Sequence, residues 1–127
     1  MENKNVVVVG ASAVGSLAAK YLAEKGLSVQ LLEEDARPGK FGKCGGIFSK
    51  EGMEQTGVSY RNILLNEVKG ARILSRKKEM RVKAPSVKGV VLSRQAFDEL
   101  CADEAVAAGV DLHLGQGVVD YQTNASN

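Results

Sequence analysis

An α/β fold, one βαβ unit with a small antiparallel β-meander inserted after it, is what this sequence predicts, and three observations carry that prediction. Val6-Val7-Val8-Val9 is an apolar, β-branched run, too short for a helix and typical of a strand buried on both faces. Gly10-Ala11-Ser12-Ala13-Val14-Gly15 follows directly and opens a helical pattern. From Gly70 onward the apolar residues change to a period of about two, the signature of strands.

Each element follows from its own residues. In the first helix Val14, Leu17, Ala18, Tyr21 and Leu22 are expected on one face, with Lys20, Glu24 and Lys25 on the other. Gly26 ends it by taking a left-handed backbone. Leu27 to Leu32 reads as a second strand, with Glu33-Glu34-Asp35 at its carboxyl end. The turn at Gly10 and the close packing allowed by Gly15 are what a Rossmann-like unit needs. The first N–H groups of the helix then point at one spot with the helix dipole behind them, which suits a pyrophosphate. Glu33 stands eighteen positions after Gly15, near the spacing at which an acid accepts hydrogen bonds from an adenosine ribose. Ser12 occupies the place of the middle glycine; it is small, and its hydroxyl can donate to phosphate. These residues predict dinucleotide binding and leave FAD and NAD both open.

The stretch ARPGKFGKCGG (36–46) is an irregular loop leaving the carboxyl end of the second strand, where open α/β sheets bind ligands. Arg37, Lys40 and Lys43 bring positive charge, and Gly45-Gly46 lets backbone press against a flat ligand. One or two short helices, broken near Gly57, are expected between Ser49 and Leu65. Residues 71–76 and 79–84 form a hairpin around Lys77-Lys78, and 88–92 a third strand of the meander. Ten basic residues between Arg61 and Arg94 face only Glu67 and Glu79. Their charge is expected on one solvated face, with acidic lipid headgroups or a phosphorylated substrate as the alternative. No aromatic residues interleave with the charges, which argues against nucleic acid.

A second helix begins at the N-cap Ser93. Phe97, Leu100, Cys101, Ala105 and Ala108 make its apolar stripe; Asp98, Glu99, Asp103 and Glu104 are expected to face water, and Gly109 ends it. Arg94 stands beside the helix N-terminus, where it either binds an anion or pairs with Asp98. Residues 110–114 form a strand with Leu112 and Leu114 inward and His113 at the surface; Val118-Val119 starts another, and residues 122–127 are a frayed tail.

Composition narrows the classes. The 127 residues are 44% hydrophobic and 25% charged, with a formal net charge of +2, ordinary for one globular domain or part of one. No apolar span of about eighteen residues suggests a transmembrane helix. Met1-Glu2-Asn3-Lys4-Asn5 runs straight into the first strand, so no signal peptide is expected and a cytoplasmic location is. Cys44 and Cys101 have no metal-ligand spacing and fit a reducing compartment.

Three landmarks resemble one family. The run GASAVGSLAAKYLAEKGLSVQLLEED from Gly10, the loop GKCGGIFS (42–49) and VVLSRQAFDELCADEAVAAGV (90–110) occur in the order seen in the geranylgeranyl reductases. These are FAD-dependent oxidoreductases of the wider group that resembles p-hydroxybenzoate hydroxylase. The resemblance implies a Rossmann FAD-binding domain with an inserted antiparallel sheet, in enzymes that reduce carbon–carbon double bonds of geranylgeranyl chains in lipid or pigment precursors. Carried over by position, Gly10, Ser12, Val14 and Gly15 match the pyrophosphate turn and Glu33 the ribose acid. Cys44, Gly45 and Ile47 lie in the loop approaching flavin and isoprenoid, Arg94 matches an arginine that contacts FAD, and Val118 falls near the adenine. No catalytic group is assigned; Cys44 is the one candidate, as a proton donor or as pocket lining.

Family enzymes are several times longer, so residues 1–127 are expected to be a single FAD-binding domain, incomplete relative to the family. One side of its parallel sheet is expected to be unpaired, with apolar surface exposed. An isoprenoid lipid substrate would require the region beyond; peripheral membrane contact is an expectation for the chain as it stands. Two other readings stay open: part of another FAD-dependent monooxygenase or dehydrogenase, and a non-catalytic nucleotide-binding module.

Overall fold

The computed structural model describes residues 6–40 and 44–122. The expectations resting on Met1–Asn5, on Lys43 and on the tail beyond Gln122 lie outside the described residues. In chain order the elements are β1 (Val6–Val9), α1 (Ala13–Glu24), β2 (Val29–Glu33), β3 (Ile47–Ser49), α2 (Lys50–Gln55), β4 (Leu64–Val68), β5 (Gly70–Leu74), β6 (Glu79–Lys83), β7 (Gly89–Leu92), α3 (Arg94–Ala107) and β8 (Asp111–Leu114). A single 3-10 turn, Arg61–Ile63, precedes β4. The chain packs as two compact units, Met1–Lys40 with Asp98–Asn127, and Phe41–Phe97; the division falls inside α3.

The first unit is a parallel sheet in the order β1-β2-β8. Val8, Leu31 and Leu112 align in register across it. They join one cluster with Ala11, Ala19, Val29, Ala105 and Val110, so small helix residues meet branched strand residues. Burial of a side chain the size of Leu31 contributes about 1.5–3 kcal/mol. This packing corrects one expectation and bears out another. β1 is covered on one face only: Val9 is 62% exposed, and Val7 is exposed with it. β1 is also an edge strand among the described residues, as an unpaired sheet side requires.

The buried face of α1 is Ala13, Ser16 and Ala19, while Val14 is 78% exposed and Tyr21 and Ala18 are exposed too. Gly15 explains the rotation. A Cβ added there would lie 1.9 Å from the Gly10 carbonyl oxygen, so the helix sits too close to the turn for large side chains to face the sheet. Helices α1 and α3 end at Gly26 and Gly109, both at positive φ, as expected.

Asp98 corrects a third expectation. It is 2% exposed, not solvated, and its Oδ1 accepts the N–H of Ala13 at 2.7 Å. A carboxylate at the positive end of α1 satisfies an orphan donor and the helix dipole together. Of the other acids expected in water, Glu104 is half-buried and accepts from Lys20 Nζ at 2.8 Å. Leu114, expected inward, is exposed at the end of β8, and His113 Nε2 lies 3.1 Å from Asp111 Oδ1. Val118 and Val119 form no strand, for no described strand lies alongside to pair with them.

The second unit holds an antiparallel sheet in the order β3-β7-β4 and a separate two-stranded ribbon, β5-β6. The expected hairpin is present, but the third strand, β7, pairs with β3 and β4 instead of extending it. Gly46 enables this: at φ +69° its carbonyl accepts Leu92 N–H at 2.8 Å, and a Cβ would meet Leu92 O at 2.1 Å. Phe48 and Phe97 close the unit edge to face, with centroids 5.2 Å apart. Helix α2 and the break at Gly57 fall where the sequence places them.

Two stability tests follow from the first unit. Asp98→Ala leaves the Ala13 N–H buried without its charged acceptor and should cost about 1.5–3 kcal/mol in urea unfolding; an unchanged midpoint would remove the clamp from the account. Bonding to Glu104 raises the Lys20 pKa above its ordinary value, against a smaller opposing effect of burial. A raised folded pKa means that the stabilisation is complete below the unfolded pKa and is lost as pH climbs through the folded one. Lys20→Met should therefore cost up to about 1 kcal/mol. That deficit should hold steady from neutral to mildly alkaline pH and shrink only above the lysine range.

Candidate functional site

The turn from β1 into α1 is tied down at nearly every backbone group. Gly10, at φ +93°, donates its N–H to Leu32 O at 2.7 Å and so fixes the turn to the end of β2. Ala11 N–H donates to Glu33 Oε2 at 2.7 Å, and the buried Ser16 hydroxyl donates to Ala11 O at 3.1 Å. Ala13 N–H is held by Asp98. Helix geometry leaves the N–H groups of Val14 and Gly15 without an intrahelical acceptor. Ser12 stands at the N-cap, exposed, and its hydroxyl makes no capping bond. A solvent-facing helix N-terminus with an adjacent hydroxyl is the arrangement that holds a phosphate.

Glu33 ends β2 beside this turn. Its Oε1 also accepts Asp35 N–H at 3.0 Å, which fixes the carboxylate from both sides. A carboxylate offers about four acceptor sites; two are used here, and the others can accept hydroxyl donors. The chain after β8 returns to the same end of the sheet, where Gln116 N–H donates to Glu33 O at 2.8 Å and Gly115 N–H to Asp35 O at 3.0 Å. Thus Gly10, Ser12, Val14, Gly15 and Glu33 converge at one edge of the first unit. Val118 is exposed, in the chain that follows this return.

The remaining candidates belong to the second unit. Cys44 and Gly45 are exposed just before β3, Ile47 is exposed as its first residue, and Arg94 is the first residue of α3. Space around Gly45 is open, while Gly46 is buried against β7. Of the glycine pair, one therefore serves strand pairing and one leaves the backbone bare. Both cysteines are thiols, with Cys101 in the core. Among the described residues no group of three or more His, Cys, Asp or Glu could hold a metal ion.

Asp98 was the site residue not expected. Its position carried a signal: it shares the helical stripe of Cys101, Ala102 and Ala105, at spacings of three, four and seven. An acid on an otherwise apolar stripe needs a buried partner, and here that partner is the start of α1.

The fold agrees with what the chain is similar to. The family described as NAD(P)-binding Rossmann-like domain matches residues 8–60. A digeranylgeranylglycerophospholipid reductase of Thermoplasma acidophilum is 36% identical over 118 residues, covering 88% of this chain and 30% of the relative. A protein of the same name from Methanothrix thermoacetophila is 38% identical over 120 residues, 91% of this chain and 31% of the relative. The crystal structure of a geranylgeranyl bacteriochlorophyll reductase-like protein from Thermoplasma acidophilum superposes with a TM-score of 0.82 at 33% identity, covering 93% of this chain and 32% of that one. The chain thus spans about three-tenths of the length of these relatives. Over most of its own length, it is a homologue of the N-terminal part of the digeranylgeranylglycerophospholipid reductases, with their Rossmann-type FAD/NAD(P)-binding fold.

Proposed function

We propose that this chain binds FAD, with the ADP half on the first unit. The Val14 and Gly15 N–H groups and the Ser12 hydroxyl take the pyrophosphate, and Glu33 accepts from the ribose hydroxyls. The observation that carries this reading is the clamped turn. Its outer N–H groups are bound to Glu33 and Asp98, and the start of α1 is left facing solvent. The fit is steric, because only glycine at position 15 lets α1 begin hard against the Gly10 carbonyl.

Cys44, Gly45, Ile47, Arg94 and Val118 are the further cofactor positions in this proposal, and they rest on the resemblance to the geranylgeranyl reductases. Bound flavin would supply the hydride for reducing an isoprenoid carbon–carbon double bond. This chain's own part would be to hold and orient the cofactor. Catalysis and an isoprenoid lipid substrate are proposals about a protein of the relatives' full length; a cytoplasmic location and peripheral contact with a membrane are proposals for this chain. Among the described residues no helix is long and apolar enough to cross a membrane.

A second reading, NAD(P) binding without flavin, is favoured by the match to the NAD(P)-binding Rossmann-like family. Titrating the purified chain into FAD and following quenching of flavin fluorescence separates the two. The account predicts saturable quenching, weakened about tenfold by Glu33→Gln, or about 1.4 kcal/mol, and abolished by Gly15→Ala. Tight NAD binding without flavin binding would contradict it.

A further inference from the structure

The β5-β6 ribbon has a surface that cofactor binding does not use. Its register pairs Ala71 with Val82 and Ile73 with Met80, and it pairs Arg72 with Arg81 and Gly70 with Lys83. Alternation therefore places Ala71, Ile73, Met80 and Val82 on one face, and Arg72, Arg81 and Lys83, together with Leu74 and Glu79, on the other. Every residue of both strands is exposed, and Ile73 and Met80 are 54% and 55% exposed. The connection between the strands is Ser75-Arg76-Lys77-Lys78, closed by Ser75 N–H on Lys78 O at 2.8 Å. Between Lys69 and Lys88 the chain carries eight basic residues against Glu79, which is itself paired with Arg81.

The apolar face does not stop at the ribbon. It continues into a cleft of about 370 Å³ lined by Ile47, Val68, Ala71, Val82 and Ala84, with Lys69 and Lys88 also in its wall. Apolar side chains, a groove and a cationic tip lie together within the second unit. Such a surface needs apolar solvent and negative charge side by side. An anionic bilayer interface offers both: headgroup phosphates for the cations, and the acyl boundary for the apolar face. Nucleic acid would answer the charge but leave Ile73 and Met80 wet, and the ribbon has no aromatic residue to stack on bases. A second copy, added edge to edge, would bring arginines and lysines against one another.

We propose that the β5-β6 ribbon is a membrane-docking element for anionic bilayers. Ile73 and Met80 insert, and Arg76, Lys77 and Lys78 engage headgroup phosphates. This deepens the peripheral-membrane part of the function proposed above and does not depend on cofactor binding.

The test is flotation of the full chain with vesicles of phosphatidylglycerol and phosphatidylcholine in equal parts, and with phosphatidylcholine alone. Ile73→Asp/Met80→Asp and Lys77→Glu/Lys78→Glu alter only exposed side chains, and circular dichroism checks that each pair stays folded. The proposal expects the chain to float with the anionic vesicles, less so at high salt. Each pair of substitutions should lower partitioning by about tenfold or more, with flavin quenching unchanged. Equal flotation on neutral vesicles, no flotation, or binding indifferent to both pairs would overturn it. So would self-association abolished by Ile73→Asp/Met80→Asp in a chain that ignores vesicles, which would make a second copy the occupant. Vesicle binding without flavin binding would uphold this proposal and overturn the cofactor reading.

Discussion

Two backbone N–H groups, on Ala11 and Ala13, are each held by a carboxylate distant in sequence: Glu33, 22 residues away, and Asp98, 85 residues away. These bonds join the end of β2, the start of α1 and the first turn of α3's share of the unit. Charged acceptors make them the stronger kind of hydrogen bond, at about 1.5–3 kcal/mol each. They also decide what is left over. With Ala11 and Ala13 taken, the donors still facing outward are those of the helix start. A cradle set before its ligand arrives avoids part of the ordering cost of binding.

The legible half of this site is the half written in spacing. Gly10 and Gly15 are where a turn and a close approach require them, and Glu33 is at the distance that ends β2 beside that turn. Hydrophobicity does not choose the inward side of α1 where backbone contact is this close; size does. Ala13, Ser16 and Ala19 go in and Val14 stays out. Acids are ordinarily solvated, and Asp98 departs from that because its helical position sets it among buried residues. Strands β3 and β4 were illegible for a different reason. The first is three residues long, and the register of the second shifts between Leu64 and Asn66, so neither shows clean alternation.

The two units use charge in opposite ways. In the first, Glu33, Asp98 and Glu104 are all bonded within the unit, to the turn and to Lys20. In the second, basic residues crowd the exposed ribbon, where opposite charge is scarce. Gly46 shows how one residue can be recognised for the wrong purpose. Its bare backbone reads as room for a flat ligand, and the structure spends it on Leu92. Gly45, with open space around it, keeps that possibility.

The central claim is that the start of α1, clamped by Glu33 and Asp98, is the cofactor's phosphate site. Amide chemical shifts of the nitrogen-15-labelled chain, followed during titration with FAD, test it residue by residue. The account predicts that the Val14 and Gly15 amides move first and furthest, with those of β5 and β6 nearly still. Saturable shifts that leave Val14 and Gly15 unmoved would contradict it.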